Sequence, residues 1–306
     1  MRPLGSSGVD VFPLCLGGNV FGWTADETAS FEVLDAYAAA GGNFVDTAAG
    51  YSAWVPGNSG GESETIIGDW MASRGNRGSV VVATKIAPNP RLTREAVLEG
   101  AEASLRRLRS DYIDLYYIHH DDPETPLEET LGAFGELVAA GRVRHVGLSN
   151  FSRERLELAL NVVEREGFPP IVVLQNEHNL LRRAYEDGPR DLVQRAGIAA
   201  VPYYALASGF LTGKYRRDGA AVDSPRAQGV SRFMDDRGFA VLDALDVVAA
   251  AHGASVSAVA LAWLLAQPTV VAPIASARSV AQLEELLRFT HLELRPAELD
   301  TLSRAG

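Results

Sequence analysis

Asp46 closes the short apolar run Asn43-Phe44-Val45-Asp46, Lys85 closes Val81-Val82-Ala83-Thr84-Lys85, and His119 closes Asp114-Leu115-Tyr116-Tyr117-Ile118-His119. Tyr51 lies five residues beyond Asp46, in the segment that follows the first of these runs. Taken singly, an Asp, Lys or His in such a place is most simply a solvated or ion-paired residue. Together the four residue types make an acid catalyst. A tyrosine, with an unperturbed pKa of about 10, is a poor proton donor near neutrality, but an adjacent ammonium favours the phenolate and lowers that pKa. Asp46 can hold Lys85 charged and oriented, and His119 can fix a substrate carbonyl oxygen by hydrogen bonding, which leaves Tyr51 as general acid.

For these side chains to meet, the runs that carry them must be neighbouring strands of one sheet. Apolar runs at residues 14–16, 43–46, 80–85, 113–119, 145–149, 171–175, 199–203 and 269–274 read as eight strands. Helix-period segments lie between or after them, at 26–40, 62–73, 93–109, 127–140, 153–166, 188–196, 239–252, 255–267 and 279–289. Thr93 supplies an N-cap oxygen for its helix. Strict alternation implies parallel strands, and eight units favour closure: an α/β chain, a (β/α)8 TIM barrel formed by one domain over residues 1–306. Residues 4–11 read as an N-terminal β-hairpin that plugs the bottom of the barrel, and 296–302 as an extra C-terminal amphipathic helix on its side. The one long irregular stretch, 208–238, carries Gly209, Gly213, Gly219 and Gly229 and reads as a functional loop.

Barrel active sites form at the carboxyl ends of the strands. Side chains alternate along a strand, so Val81, Ala83 and Lys85 share one face, as do Leu115, Tyr117 and His119, and His120 points the other way. That alternation weighs against a metal-dependent hydrolase built on His119-His120-Asp121-Asp122, because adjacent strand residues do not chelate together. No metal site is expected. Trp23 and Trp54 fall in the segments after the first and second strands, where a substrate pocket would open, and are candidate walls for it.

The net charge of −11 repels nucleic acid. With Cys15 the only cysteine, no intramolecular disulfide can form, and that thiol reads as an inert core residue. No leader-like or membrane-spanning apolar run is present, which points to a cytoplasmic protein.

The stretches from Asn43 through Tyr51, Gly61-Glu62-Ser63-Glu64, Ala83-Thr84-Lys85, Ile113 to His119, Gly147-Leu148-Ser149-Asn150-Phe151, Gln175-Asn176-Glu177 and Gly209-Phe210-Leu211-Thr212-Gly213-Lys214 resemble the aldo-keto reductase family in the same order. The resemblance runs from about residue 14 to 290. It implies NADPH-dependent reduction of a small-molecule aldehyde or ketone, with Asp46, Tyr51, Lys85 and His119 as the catalytic tetrad. Ser149, Asn150 and Gln175 would then hold the nicotinamide carboxamide, Tyr203 would stack on its ring, and Leu206, Ser208 and Lys214 would contact the cofactor. Ser276, Arg278 and Gln282 would lie about the adenosine 2′-phosphate. Arg278 has a physical case of its own: its planar fork stands beside a helix start whose free N–H groups favour phosphate, which selects NADPH over NADH. Trp23, Trp54 and His120 would face the substrate in an open, aromatic-walled pocket. The chain departs from the family where Ala275-Ser276 replaces Pro-Gly, Tyr204-Ala205 replaces Ser-Pro and Leu286 replaces Asn, the last an adenine contact. A barrel that binds NADPH as a sensor without turning over is the alternative.

Overall fold

The computed structural model describes residues 1–217, 219, 222 and 227–306. Its first element is an antiparallel pair, β1 (Arg2–Pro3) and β2 (Asp10–Val11). Eight parallel strands follow: β3 (Cys15–Gly17), β4 (Phe44–Asp46), β5 (Val81–Ile86), β6 (Ile113–Ile118), β7 (Val143–Ser149), β8 (Ile171–Gln175), β9 (Ala199–Ala200) and β10 (Ile274–Ala275). They run in the order β10-β3-β4-β5-β6-β7-β8-β9. The ring closes where Ala200 bridges Val270 in parallel, with Ala200 N–H donating to Thr269 O at 2.8 Å and Ile274 N–H to Pro202 O at 2.9 Å. This is the expected (β/α)8 barrel.

The period-2 alternation of the strands sorts their side chains into two cores. Phe44, Ala83, Leu115, Tyr117, Val173 and Ala272 fill the barrel, while Val45, Val82, Tyr116 and Ile118 face outward against the helices. The hairpin contributes Leu4 and Val11, both fully buried, to the inner set. It docks at the amino ends of the strands, where Asn43 accepts from Phe12 N–H at 2.8 Å and donates to Asp10 O at 3.0 Å. That end is thereby sealed, and the opposite end stays open.

The surrounding helices are α1 (Glu27–Ala39), α2 (Glu62–Arg74), α3 (Arg94–Leu108), α4 (Leu127–Ala139), α5 (Arg153–Glu166), α6 (Ala184–Asp187), α7 (Arg190–Arg195), α8 (Ala227–Val230), α9 (Asp236–His252), α10 (Val256–Leu265), α11 (Val280–Leu287) and α12 (Pro296–Ala305). Side chains fix their starts: Asp26, Thr93, Ser152, Asp235, Ser255 and Ser279 each accept an N–H of the first turn. The last helix packs on the flank, where Trp263 Nε1 of α10 donates to Ser303 Oγ at 2.9 Å and Leu302 is buried. Among the described residues no single helix is long and apolar enough to cross a membrane.

The structure shortens four expected strands, the second by Asn43 alone. The seventh stops at Ala200 and the eighth is displaced to Ile274–Ala275, because Pro202 and Pro273 have no N–H for a ladder and Thr269 takes the left-handed region at φ 71°. The strand carrying His119 ends at Ile118, one residue early. The stretch expected to be irregular at 208–238 holds a 3-10 segment (Ala207–Thr212), α8, a second 3-10 turn (Ser231–Phe233) and the start of α9, moved forward from the expected 239 by the Asp235 cap. Residues 218, 220, 221 and 223–226 of that stretch lie outside the described residues.

Candidate active site

At the open end, neighbouring strands deliver three charged or polar side chains to one place. Asp46 is the last residue of β4, Lys85 the fifth of β5, and His119 follows β6, its N–H bonded to Ile86 O at 2.7 Å. Tyr51 returns to them through a tight turn in which its N–H donates to Ala48 O at 3.1 Å and Ser52 adopts φ 68°, anchored by Ser52 Oγ on Phe21 O at 2.8 Å.

Lys85 is fully buried, and its Nζ donates to Asp46 Oδ2 at 2.7 Å, Thr47 O at 2.7 Å and Tyr51 Oη at 2.9 Å. Three donated bonds account for all three protons of an ammonium, one more than a neutral amine could give. Burial pulls the Lys85 pKa down, and Asp46 opposes it. Asp46 is tied at both oxygens, accepting Gln175 Nε2 on Oδ1 at 2.9 Å and Tyr51 Oη on Oδ2 at 3.2 Å.

Here the electrostatics correct one expectation. Burial, followed by the Asp46 charge, holds the Tyr51 phenol well above its ordinary value, rather than Lys85 lowering it. The phenol therefore rests protonated, and the ammonium in contact with its oxygen is placed to stabilise the phenolate once the proton has left. His119 is pulled down to about 2 by burial, then by Lys85 and His120, so its imidazole is neutral. A neutral imidazole can donate one N–H to an oxygen without titrating.

Beside this group, Ser149 ends β7 and Gln175 ends β8, with Ser149 Oγ donating to Gln175 O at 2.8 Å. Asn150 sits at φ 59°, a conformation that Asn tolerates. Its amide donates to His119 O at 2.8 Å and accepts Tyr203 Oη at 2.6 Å. These amides and hydroxyls border a cleft of about 930 Å³ at the carboxyl ends of the strands. Every residue singled out from the sequence lines it except Lys85, which is sealed beneath.

The cleft has an aromatic side and a cationic end. Trp23 and Trp54 meet edge to face at 5.6 Å, Trp54 lies 6.3 Å from the Tyr51 ring, and Trp54 is 52% exposed. At the far end, Ser276 Oγ donates to Asn19 Oδ1 at 2.7 Å and Gln282 Oε1 accepts Arg278 N–H at 3.0 Å. Arg278 and Lys214 are exposed there, and no ion pair engages either among the described residues. Leu206 and Ser208 border the cleft through a strained turn, with Ala207 at φ 48° and Ser208 at φ 59°.

His120 is not where strand alternation placed it. Because β6 ends at Ile118, alternation no longer applies, and the His120 ring stacks on His119 at 4.7 Å and 18° on the same cleft. The acidic pair that follows serves the loop: Asp121 accepts Arg155 Nη2 at 2.7 Å, and Asp122 caps Leu92 and Glu124 N–H and Thr125 Oγ1. Among the described residues no cluster of three or more His, Cys, Asp or Glu is grouped to hold a metal ion. The sequence reading missed Thr24 and Glu285, which line the cleft with Thr24 Oγ1 and Glu285 Oε1 buried and without a hydrogen-bond partner. Glu285 could have been found, since it lies three residues beyond Gln282 on one helix and shares its face.

A solved structure of a thermostable aldo-keto reductase, Tm1743, held with the inhibitor epalrestat, superposes with a TM-score of 0.81 at 30% identity, covering 100% of this chain and 99% of that one. The aldo-keto reductase ausK of Emericella nidulans is 34% identical over 98% of this chain and 80% of its own length. Norsolorinic acid reductase B of Aspergillus parasiticus is 31% identical over 98% of this chain and 82% of its own. The model of the Aldo/keto reductase family matches residues 13–306. The chain belongs to the aldo/keto reductase family of oxidoreductases.

Proposed function

We propose that this protein uses NADPH to reduce an aldehyde or ketone to the alcohol, with Tyr51 as the general acid. The observation that carries the reading is Tyr51 Oη, protonated, hydrogen-bonded to the Lys85 ammonium and opening on the cleft. A carbonyl oxygen held between Tyr51 O–H and a neutral His119 N–H gains negative charge as reduction proceeds. Tyr51 gives it a proton, and Lys85, anchored by Asp46 and Thr47, stabilises the phenolate that remains. Before reaction Tyr51 also donates to Asp46, so the same hydroxyl swings a short way to the substrate.

The cleft fits a nicotinamide dinucleotide by the chemistry of its donors. Asn150, Ser149 and Gln175 present amide and hydroxyl groups to a carboxamide, and Tyr203 offers a ring face beside them. The partnerless Thr24 Oγ1 and Glu285 Oε1 are what a site that awaits a ligand's polar atoms contains. Bound NADPH supplies a hydride to the carbonyl carbon. Preference for the 2′-phosphate form is supported by Arg278 at the start of α11, with Ser276 and Gln282 next to it and Lys214 across the cleft, cationic groups set in a chain of net charge −11. Leu286 stands where the family has Asn, so the adenine rests on apolar contact at that point. Trp23, Trp54 and His120 receive the substrate, and the aromatic wall favours a flat apolar body. One domain, residues 1–306, carries the whole activity in the cytoplasm, where the buried Cys15 stays reduced.

Following NADPH absorbance with an aromatic aldehyde tests the reading. Aldehyde-dependent oxidation with one alcohol formed per NADPH supports it. Tight NADPH binding with no turnover of any aldehyde or ketone overturns it.

A further inference from the structure

The start of α2, Gly61-Glu62-Ser63-Glu64, lies outside the cleft and yet touches the segments that carry Asp46, Tyr51 and Lys85. Gly61 N–H donates to Tyr51 O at 3.3 Å. Ser63 Oγ accepts the Thr47 hydroxyl at 2.8 Å and donates its own to Gly18 O at 2.8 Å. Glu64 accepts the Thr84 hydroxyl at 2.5 Å on one oxygen and Arg107 Nε at 2.6 Å on the other. Thr47, Ser63, Glu64 and Thr84 are all fully buried. Gly18 makes room for the first of these links, since a Cβ there would stand 2.7 Å from Ser63 Oγ and 3.1 Å from Asp46 O.

Thr47 follows Asp46 and Thr84 precedes Lys85, so α2 holds from outside the two strands whose inner side chains form the buried ion pair. The link through Thr47 reaches the reacting group. Its carbonyl accepts from Lys85 Nζ at 2.7 Å, its N–H donates to Ala83 O at 2.8 Å, and its hydroxyl is fixed on Ser63. A residue bonded on both sides of its Cα cannot turn its carbonyl freely, and supporting hydrogen bonds of this kind hold a functional group to within about 0.5 Å. Replacing Glu64 would break its ion pair with Arg107, whereas Ser63 carries no charge and gives the cleaner perturbation.

We propose that Ser63 is a positioning residue for the proton transfer: by holding the Thr47 hydroxyl it aims the Thr47 carbonyl at Lys85 Nζ, and so keeps the ammonium against Tyr51 Oη. The inference rests on the reductase reading above. Ser63 lies outside the cleft that receives substrate and cofactor and acts through Thr47 and Lys85.

The test measures single-turnover NADPH oxidation with an aromatic aldehyde, and NADPH affinity, in Ser63→Ala and in Thr47→Val, which keeps the shape of the side chain without its hydroxyl. Loss of one neutral hydrogen bond corresponds to roughly a three- to tenfold change. Each variant should lose turnover by that factor with NADPH affinity retained, and the two together should cost no more than the larger single loss, because both break one link. In a Lys85→Met background, where the ammonium is absent, Ser63→Ala should leave the residual rate within about twofold. Thr130→Val removes a buried hydroxyl of α4 that donates to Leu92 O at 2.9 Å, and should lower Tm while turnover is kept. Wild-type turnover in Ser63→Ala, a loss that persists in full in the Lys85→Met background, or an equal loss in Thr130→Val overturns the inference and leaves the reductase reading intact. Wild-type protein that binds NADPH and reduces no aldehyde or ketone overturns both.

Discussion

Replacing Lys85 by Met removes a cation that is fully buried and donates to Asp46, Thr47 and Tyr51 at 2.7, 2.7 and 2.9 Å. Asp46 is 1% exposed and would be left with only Gln175 and Tyr51 as donors. Stranding one member of a buried pair costs about 3–5 kcal/mol. In a chain of this size about 2 °C of Tm goes with each kcal/mol, so the variant should melt roughly 6–10 °C lower. Adding Asp46→Asn removes the stranded charge, and the Asn Oδ1 can still accept from Gln175 while its Nδ2 donates to Tyr51 Oη, so the double variant should recover most of that loss. Activity should not follow stability: both variants lack the ammonium that stabilises the phenolate, and both should lose roughly 100-fold or more in turnover. Thermal melts followed by circular dichroism, paired with single-turnover NADPH oxidation at a temperature where all three proteins are folded, separate the two effects. A Lys85→Met melt equal to wild type would refute the buried ion pair. Recovery of turnover in the double variant would refute the catalytic role of the ammonium.

Three further outcomes follow from the site. Burial and Lys85 hold His119 at about 2, against an ordinary 6.5, so below about 6.5 the unfolded chain binds a proton that the folded one does not, and stability falls with pH from there. His119→Gln should flatten that fall in Tm, and an unchanged slope would show that His119 titrates normally in the fold. Arg278→Ala should weaken NADPH binding roughly tenfold or more, the equivalent of one charged hydrogen bond, with NADH nearly untouched; equal losses in fluorescence titrations would make the arginine structural. Trp54→Ala should lower kcat/KM for an aromatic aldehyde relative to a three-carbon one, since the ring supplies apolar burial to the former only, and an unchanged ratio would remove Trp54 from the substrate wall.

The barrel was legible because its strands carry an alternation with few competitors. Phe44 and Val45, or Leu115 and Tyr116, are assigned to opposite cores by period alone, and the polar residues that end those strands are then bound to meet at one mouth. What escaped was decided by where a strand stops rather than by what it contains. His120 was assigned to the wrong face because the ladder ends at Ile118, and the last two strands were drawn too long across Pro202 and Pro273. The direction in which the site shifts the Tyr51 pKa was misjudged for a different reason. A phenol between an ammonium and a carboxylate is pulled both ways, and depth of burial, which decides the outcome, is not written in residue spacing. Thr24 and Glu285 were passed over because neither residue type is distinctive until the cleft that leaves Thr24 Oγ1 and Glu285 Oε1 partnerless is in view.

Tyr51 is the proposed source of the proton. Tyr51→Phe keeps the ring, and with it the contact to Trp54 at 6.3 Å, while removing the hydroxyl that Lys85 and Asp46 hold. In a single turnover with saturating NADPH and an aromatic aldehyde, with deuterated cofactor used to confirm that hydride transfer limits the rate, the account predicts a loss of roughly 100-fold or more with NADPH affinity retained. A variant that turns over near the wild-type rate under those conditions would contradict it.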